Sequence, residues 1–130
     1  MPNSSSVLPW TLTMPAGSLQ EWEIGFTTSG SSGPVGPYPI SGHTWEYVVR
    51  TSPADNGTPL IDITTSGNSQ GILIVTASTT LSQVLITLYP AATQGLAAGQ
   101  YFHTLWQDPG TSAAYTWFTG NLVIDGNPQP

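Results

Sequence analysis

The chain has 130 residues, one basic and seven acidic side chains, no cysteine and a formal net charge of −6. A single domain of this length buries roughly two-thirds of its unfolded surface, so a hydrophobic core is within reach. A chain whose only base is Arg50 cannot neutralise a run of phosphates, which argues against nucleic acid and an anionic membrane surface as partners. The lack of cysteine removes disulfides and thiolate metal sites together.

The opening MPNSSSVLPW has neither the basic start nor the continuous apolar run of a secretory leader, and no later stretch approaches the ~20 apolar residues of a membrane helix. Period-two alternation recurs along the chain, and no segment sustains a helical period. VLPWTLT (7–13) reads as a first strand carrying Trp10 and Leu12, within an extended N-terminal segment over 1–15. In EWEIGF (21–26) Trp22, Ile24 and Phe26 share one face while Glu21 and Glu23 share the other, the mark of a half-buried strand. TTSGSSGPVGPYPISG (27–42) has no period and many glycines and prolines, so it reads as a loop or arm. HTWEYVVR (43–50) then sets Trp45, Tyr47 and Val49 against Glu46, Val48 and Arg50.

Beyond the turn TSPADNGTP (51–59), LIDIT is a short strand, and beyond SGNSQG (66–71), ILIVTA is another. QVLITLY (83–89) alternates Val84, Ile86 and Leu88 against Leu85, Thr87 and Tyr89. PAATQGLAAG (90–99) holds the one short helical turn, near 91–98. Two last strands, 100–106 and 114–124, are joined through Asp-Pro-Gly turn chemistry, and a frayed tail covers 127–130.

Seven or eight short strands at this spacing predict an all-β fold, an immunoglobulin-like antiparallel β-sandwich over residues 16–126. Its expected core is Trp22, Ile24, Phe26, Trp45, Tyr47, Val49, Ile86, Leu88, Leu105, Leu122 and Ile124. The elbow LAAGQY (96–101) sharpens this prediction. A tyrosine just past a tight corner buries its ring and sends its hydroxyl back to an upstream carbonyl. Leu96, Gly99 and Tyr101 form that expected corner, with Gly99 supplying backbone freedom.

The succession PISGHTWEYVVR, PLIDIT, GILIV, VLITLYPAATQGLAAGQYFHTLW and TGNLVI resembles the immunoglobulin-like virion modules of tailed phages. The nearest of these are the N-terminal domain of siphophage upper baseplate proteins and related tail and decoration domains. In that family a small residue and glycine precede the first core strand, a glycine–tyrosine elbow opens the penultimate strand, and a glycine-led strand closes the domain. Here Ser41-Gly42, then Leu96 to Tyr101 with Leu105, then Gly120 to Ile124 match that order, over residues 36–125. The resemblance implies a non-enzymatic structural protein of a tailed-phage virion, in the tail, baseplate or head–tail connection. Such a protein is assembled in the host cytoplasm by symmetric contacts with copies of itself and other virion proteins. The alternatives are a capsid-surface decoration protein and a carbohydrate-binding module that aids adsorption to host glycans.

Motifs for chemistry are missing. There is no nucleophile elbow, P-loop or dinucleotide fingerprint. His43 and His103 are the only histidines, and zinc would need both to converge with an acid. Glu21 and Glu23 lie ~7 Å apart on one strand face rather than across a cleft. Asp55 and Asp108 each bring one carboxylate to a turn, where calcium wants about six to eight oxygens. No catalytic residue, metal or cofactor is therefore expected. His103 is expected in or beside the core, its imidazole bonded to a backbone acceptor. Arg50 is expected to pair across a strand with Asp62 or an acid near Glu46. Trp106, opposite in phase to Tyr101, is read as a subunit contact, as core on the other face or as a glycan platform. With Arg50, Pro34 and Tyr38 it makes the candidate interface.

Overall fold

The computed structural model describes residues 8–9, 11–25, 27–28, 36–37, 42–54, 57–77, 82–112 and 114–125. Along the chain run β1 (Leu8–Pro9), β2 (Leu12–Pro15), β3 (Gln20–Gly25), β4 (Thr27–Thr28) and β5 (Gly36–Pro37). β6 (Trp45–Arg50), β7 (Ile61–Thr64), β8 (Gly71–Ala77) and β9 (Ser82–Leu88) follow, then the single turn α1 (Pro90–Thr93), β10 (Gly99–Gln107) and β11 (Tyr115–Asp125). Trp10, Phe26, Pro34, Tyr38, Asp55 and the tail 127–130 lie outside the described residues.

Two sheets form the sandwich. The larger has the order β1-β11-β10-β6-β7 with β2 also on β11, and the smaller has the order β3-β9-β8. With the late strands β10 and β11 beside β6, and β3 beside β9 and β8, this is the immunoglobulin-like arrangement. The alternation seen in the sequence explains the layering. Met14, Trp45, Tyr47, Val49, Ile61, Ile63, Leu105, Phe118, Leu122 and Ile124 point inward from the large sheet, and Leu73, Val84, Ile86 and Leu88 from the small one. Trp22 and Ile24 are only half-buried and pack against this core, because β3 is an edge strand with a neighbour on one flank.

Three expectations are corrected. The sandwich is not wholly antiparallel: β1 and β2 run parallel to β11, with Leu12 beside Leu122 and Met14 beside Ile124. No hairpin forces the direction of strands from opposite ends of the chain, and β2 buries Met14 before the chain crosses at Ala16 into the small sheet. The stretch 27–42 holds a small ladder, β4 with β5. The helical turn lies at 90–93 rather than 91–98: Pro90 starts it, with a fixed φ and no N–H to lose.

The free edge of β7 is covered by side chains from the following turn. Gln70 Oε1 accepts from Asp62 N–H at 3.1 Å, Gln70 Nε2 donates to Leu60 O at 2.8 Å, and Asn68 Nδ2 donates to Asp62 O at 2.8 Å. Backbone groups that would recruit another strand are thereby satisfied within the chain.

Candidate functional site

The corner at LAAGQY is built by α1 and β10. Gly99 has φ +153°, a conformation that a side chain resists, and it turns the chain into β10. Two residues on, Tyr101 packs its ring against the core and donates its hydroxyl to Ala97 O at 2.6 Å. Leu96 packs on the same core, and its N–H donates to Thr93 O. Thr93 is buried and accepts from Gly17 N–H at 2.9 Å, which ties the corner to the crossing after β2. Tyr101→Phe removes one hydrogen bond with an exposed flank. It is expected to cost ~1 kcal/mol in urea unfolding, and a loss under ~0.3 kcal/mol would show that the hydroxyl does not hold the corner.

From β10, His103 and Leu105 point into the sandwich, both fully buried. The His103 Nδ1 lies 2.9 Å from the Tyr47 hydroxyl, a side-chain partner for that nitrogen. Burial pushes the Tyr47 phenol far above its ordinary pKa, which keeps it neutral. Tyr47, His103 and Phe118 pack as tilted and edge-on rings with centroids 4.9–6.2 Å apart, a core cluster without a path to solvent.

One end of the sheet is closed by a polar group that the sequence did not signal. Asp108, in the left-handed region at φ 51°, accepts from Thr44 N–H at 2.9 Å and from His43 Nδ1 at 2.7 Å. The Thr44 N–H is the main cause that holds the Asp108 carboxyl below its ordinary range; burial opposes it, and His43 and Gln107 add to it. Gln107 Oε1 accepts from Trp117 Nε1 at 2.9 Å across the hairpin. This is a latch between the start of β6 and the β10–β11 turn. Among the described residues no three His, Cys, Asp or Glu side chains gather as metal ligands.

The outer face of the large sheet carries the candidate interface. In register, Trp106 stands beside Glu46 and Glu46 beside Thr64; Thr104 stands beside Val48 and Val48 beside Asp62; Phe102 stands beside Arg50. Val48 and Thr104 in the centre are buried, while Phe102, Trp106, Glu46, Arg50 and Asp62 around them are half-buried. A register shift between Leu105 and Trp106 marks a bulge in β10–β11 beside the indole. Arg50 does not make the expected cross-strand ion pair; its guanidinium donates to Gly57 O, and the ion pair among the described residues is His43–Asp108.

Two carboxyls on this face meet instead. A hydrogen bond with Asp62 is the main cause that lifts the Glu46 carboxyl from the usual 4.5 to about 7, with burial and the Asp62 charge adding to it and Arg50 opposing. Glu21 and Glu23, the pair visible in sequence, are exposed on β3. Glu46 and Asp62 are 16 positions apart, and what brings them together is the strand register.

No family model and no curated protein matches the chain. Among solved structures it is similar to a family 123 glycoside hydrolase from Clostridium perfringens, at a TM-score of 0.44 and 11% identity. That match covers 94% of this chain and 24% of the hydrolase chain. The likeness is too slight to bear on activity.

Proposed function

We propose that the chain is a non-enzymatic structural module of a tailed-bacteriophage virion that docks symmetrically against copies of itself and neighbouring virion proteins. The observation that carries this reading is the outer face of the large sheet, where Phe102, Trp106 and Arg50 stand half-buried around Val48 and Thr104. Interface centres favour aromatic residues and arginine and are poor in lysine, glutamate and aspartate, and this chain has few charges anywhere. The edges of the same sheet offer less, since β1 and β2 occupy β11 and turn side chains occupy β7. The virion reading is further supported by the order of the resembling motifs. Gly42 lies just ahead of β6, the tyrosine elbow opens β10, and Gly120 to Ile124 lie in β11.

Purified particles from cells that produce the chain test this reading. The chain is expected in them at a fixed copy number by quantitative mass spectrometry. Trp106→Ala and Arg50→Ala, each checked for folding by circular dichroism, are expected to enter particles several-fold less well. Absence from particles, or unchanged incorporation of both variants, overturns the proposal. The half-buried indole beside Glu46 also favours a second reading, glycan capture. Retardation of the chain in polysaccharide gels that disappears in Trp106→Ala would move this face from assembly to adsorption.

A further inference from the structure

We propose that Glu46 and Asp62 share one proton as a clasp between β6 and the edge strand β7, which makes the fastening of this edge sensitive to pH. The geometry begins with Asp62. Among the described residues its buried Oδ1 has no hydrogen-bond donor other than the Glu46 carboxyl. A dry carboxylate oxygen without a donor is costly, and native proteins rarely leave one so.

The neighbours on this face narrow the choice of donor. Val48, beside Asp62 in register, has none, and the Arg50 guanidinium is turned to Gly57 O. β10 presents Phe102, Thr104 and Trp106, none of them titratable, and β6 lies between that strand and Asp62 on β7. Among the described residues the charged or titratable groups acting on Glu46 are Asp62 on β7 and Arg50 on its own strand. A protonated Glu46 supplies the O–H that Asp62 Oδ1 lacks. That hydrogen bond is the main cause that raises the Glu46 carboxyl to about 7. A divalent cation is the poorer occupant, because two carboxyls leave most of its coordination unfilled and the Arg50 charge opposes it.

The sign of the effect follows from linkage. Glu46 binds its proton more tightly folded than unfolded, so the stability it adds is complete below pH 4.5 and is lost as pH rises through about 7. Above that, two like charges on neighbouring strands repel across a β7 of four residues.

A carbon-detected NMR titration of side-chain carboxyls in the full chain tests the clasp. Glu46 is expected to titrate near 7, and in Asp62→Asn to return toward 4.5. Amide exchange across β7, corrected for its intrinsic pH dependence, is expected to lose several-fold protection between mildly acidic and mildly alkaline pH. Glu46→Gln keeps a donor at every pH and is expected to abolish that loss. A Glu46 midpoint in the ordinary carboxylate range overturns the proposal, and so does an unchanged exchange profile in Glu46→Gln. A midpoint that collapses when calcium chloride is added makes the pair a cation site and overturns it as well.

Discussion

Gly71→Ala is expected to destabilise the domain by ~3 kcal/mol, the upper end of what overpacking costs. Gly71 opens β8, and a Cβ placed on it would lie 2.1 Å from Thr87 O in the backbone of β9. The next obstacle, Ile63 Cδ1 at 3.3 Å, belongs to the core of the other sheet. A flexible side chain could swing aside, but a carbonyl in a ladder cannot. Moving it would open the β8–β9 register at its first rung, Gly71 beside Leu88, and strain the tight pairing of Asn68 with Gly71. Gly95→Ala is the control, since a Cβ there meets nothing within 4 Å, and it is expected to be near neutral. Urea unfolding of the two variants checks the difference. A loss under ~1 kcal/mol for Gly71→Ala would mean that β8 and β9 can separate locally at little cost.

The second large effect concerns the buried Tyr47–His103 pair. Tyr47→Phe keeps the ring and removes the hydroxyl 2.9 Å from His103 Nδ1, and it is expected to cost ~1–3 kcal/mol. His103→Leu leaves the Tyr47 hydroxyl without that partner and is expected to cost at least as much. Because each single change strands a polar group and the double change removes both, Tyr47→Phe/His103→Leu is expected to cost ~1 kcal/mol or more less than the sum. Losses that add within ~0.3 kcal/mol would show that the contact is packing without a hydrogen bond. Such a result would leave the aromatic cluster intact and remove only the polar coupling.

Several elements are legible in the sequence alone. Trp45, Tyr47 and Val49 alternate with Glu46, Val48 and Arg50, which marks a strand with one face in the core, although Val48 on the other face is buried as well. QVLITLY behaves in the same way, with Val84, Ile86 and Leu88 fully buried. The tyrosine of LAAGQY stands just after a glycine with a strained φ, and its hydroxyl returns to Ala97, a contact within five consecutive residues. Local chemistry of this kind is written in neighbouring residues, so a single sequence carries it.

What was misread depended on partners far along the chain. Charge alone sets Arg50 against an acid, but its guanidinium reaches a carbonyl in the turn that follows its own strand. Asp108 looked like ordinary turn chemistry, and only the folded chain brings Thr44 and His43 to it from 64 and 65 positions away.

The layered β-architecture, eight of the sixteen side chains in the core cluster, the tyrosine corner and the poverty of charge are legible in the sequence. All of these follow from period-two patterning and composition. The tertiary structure alone decided the parallel placement of β2 on β11, the steric demand at Gly71 and the meeting of Glu46 with Asp62. Each depends on strand register, and register is set by the packing of the whole core rather than by any short run of residues.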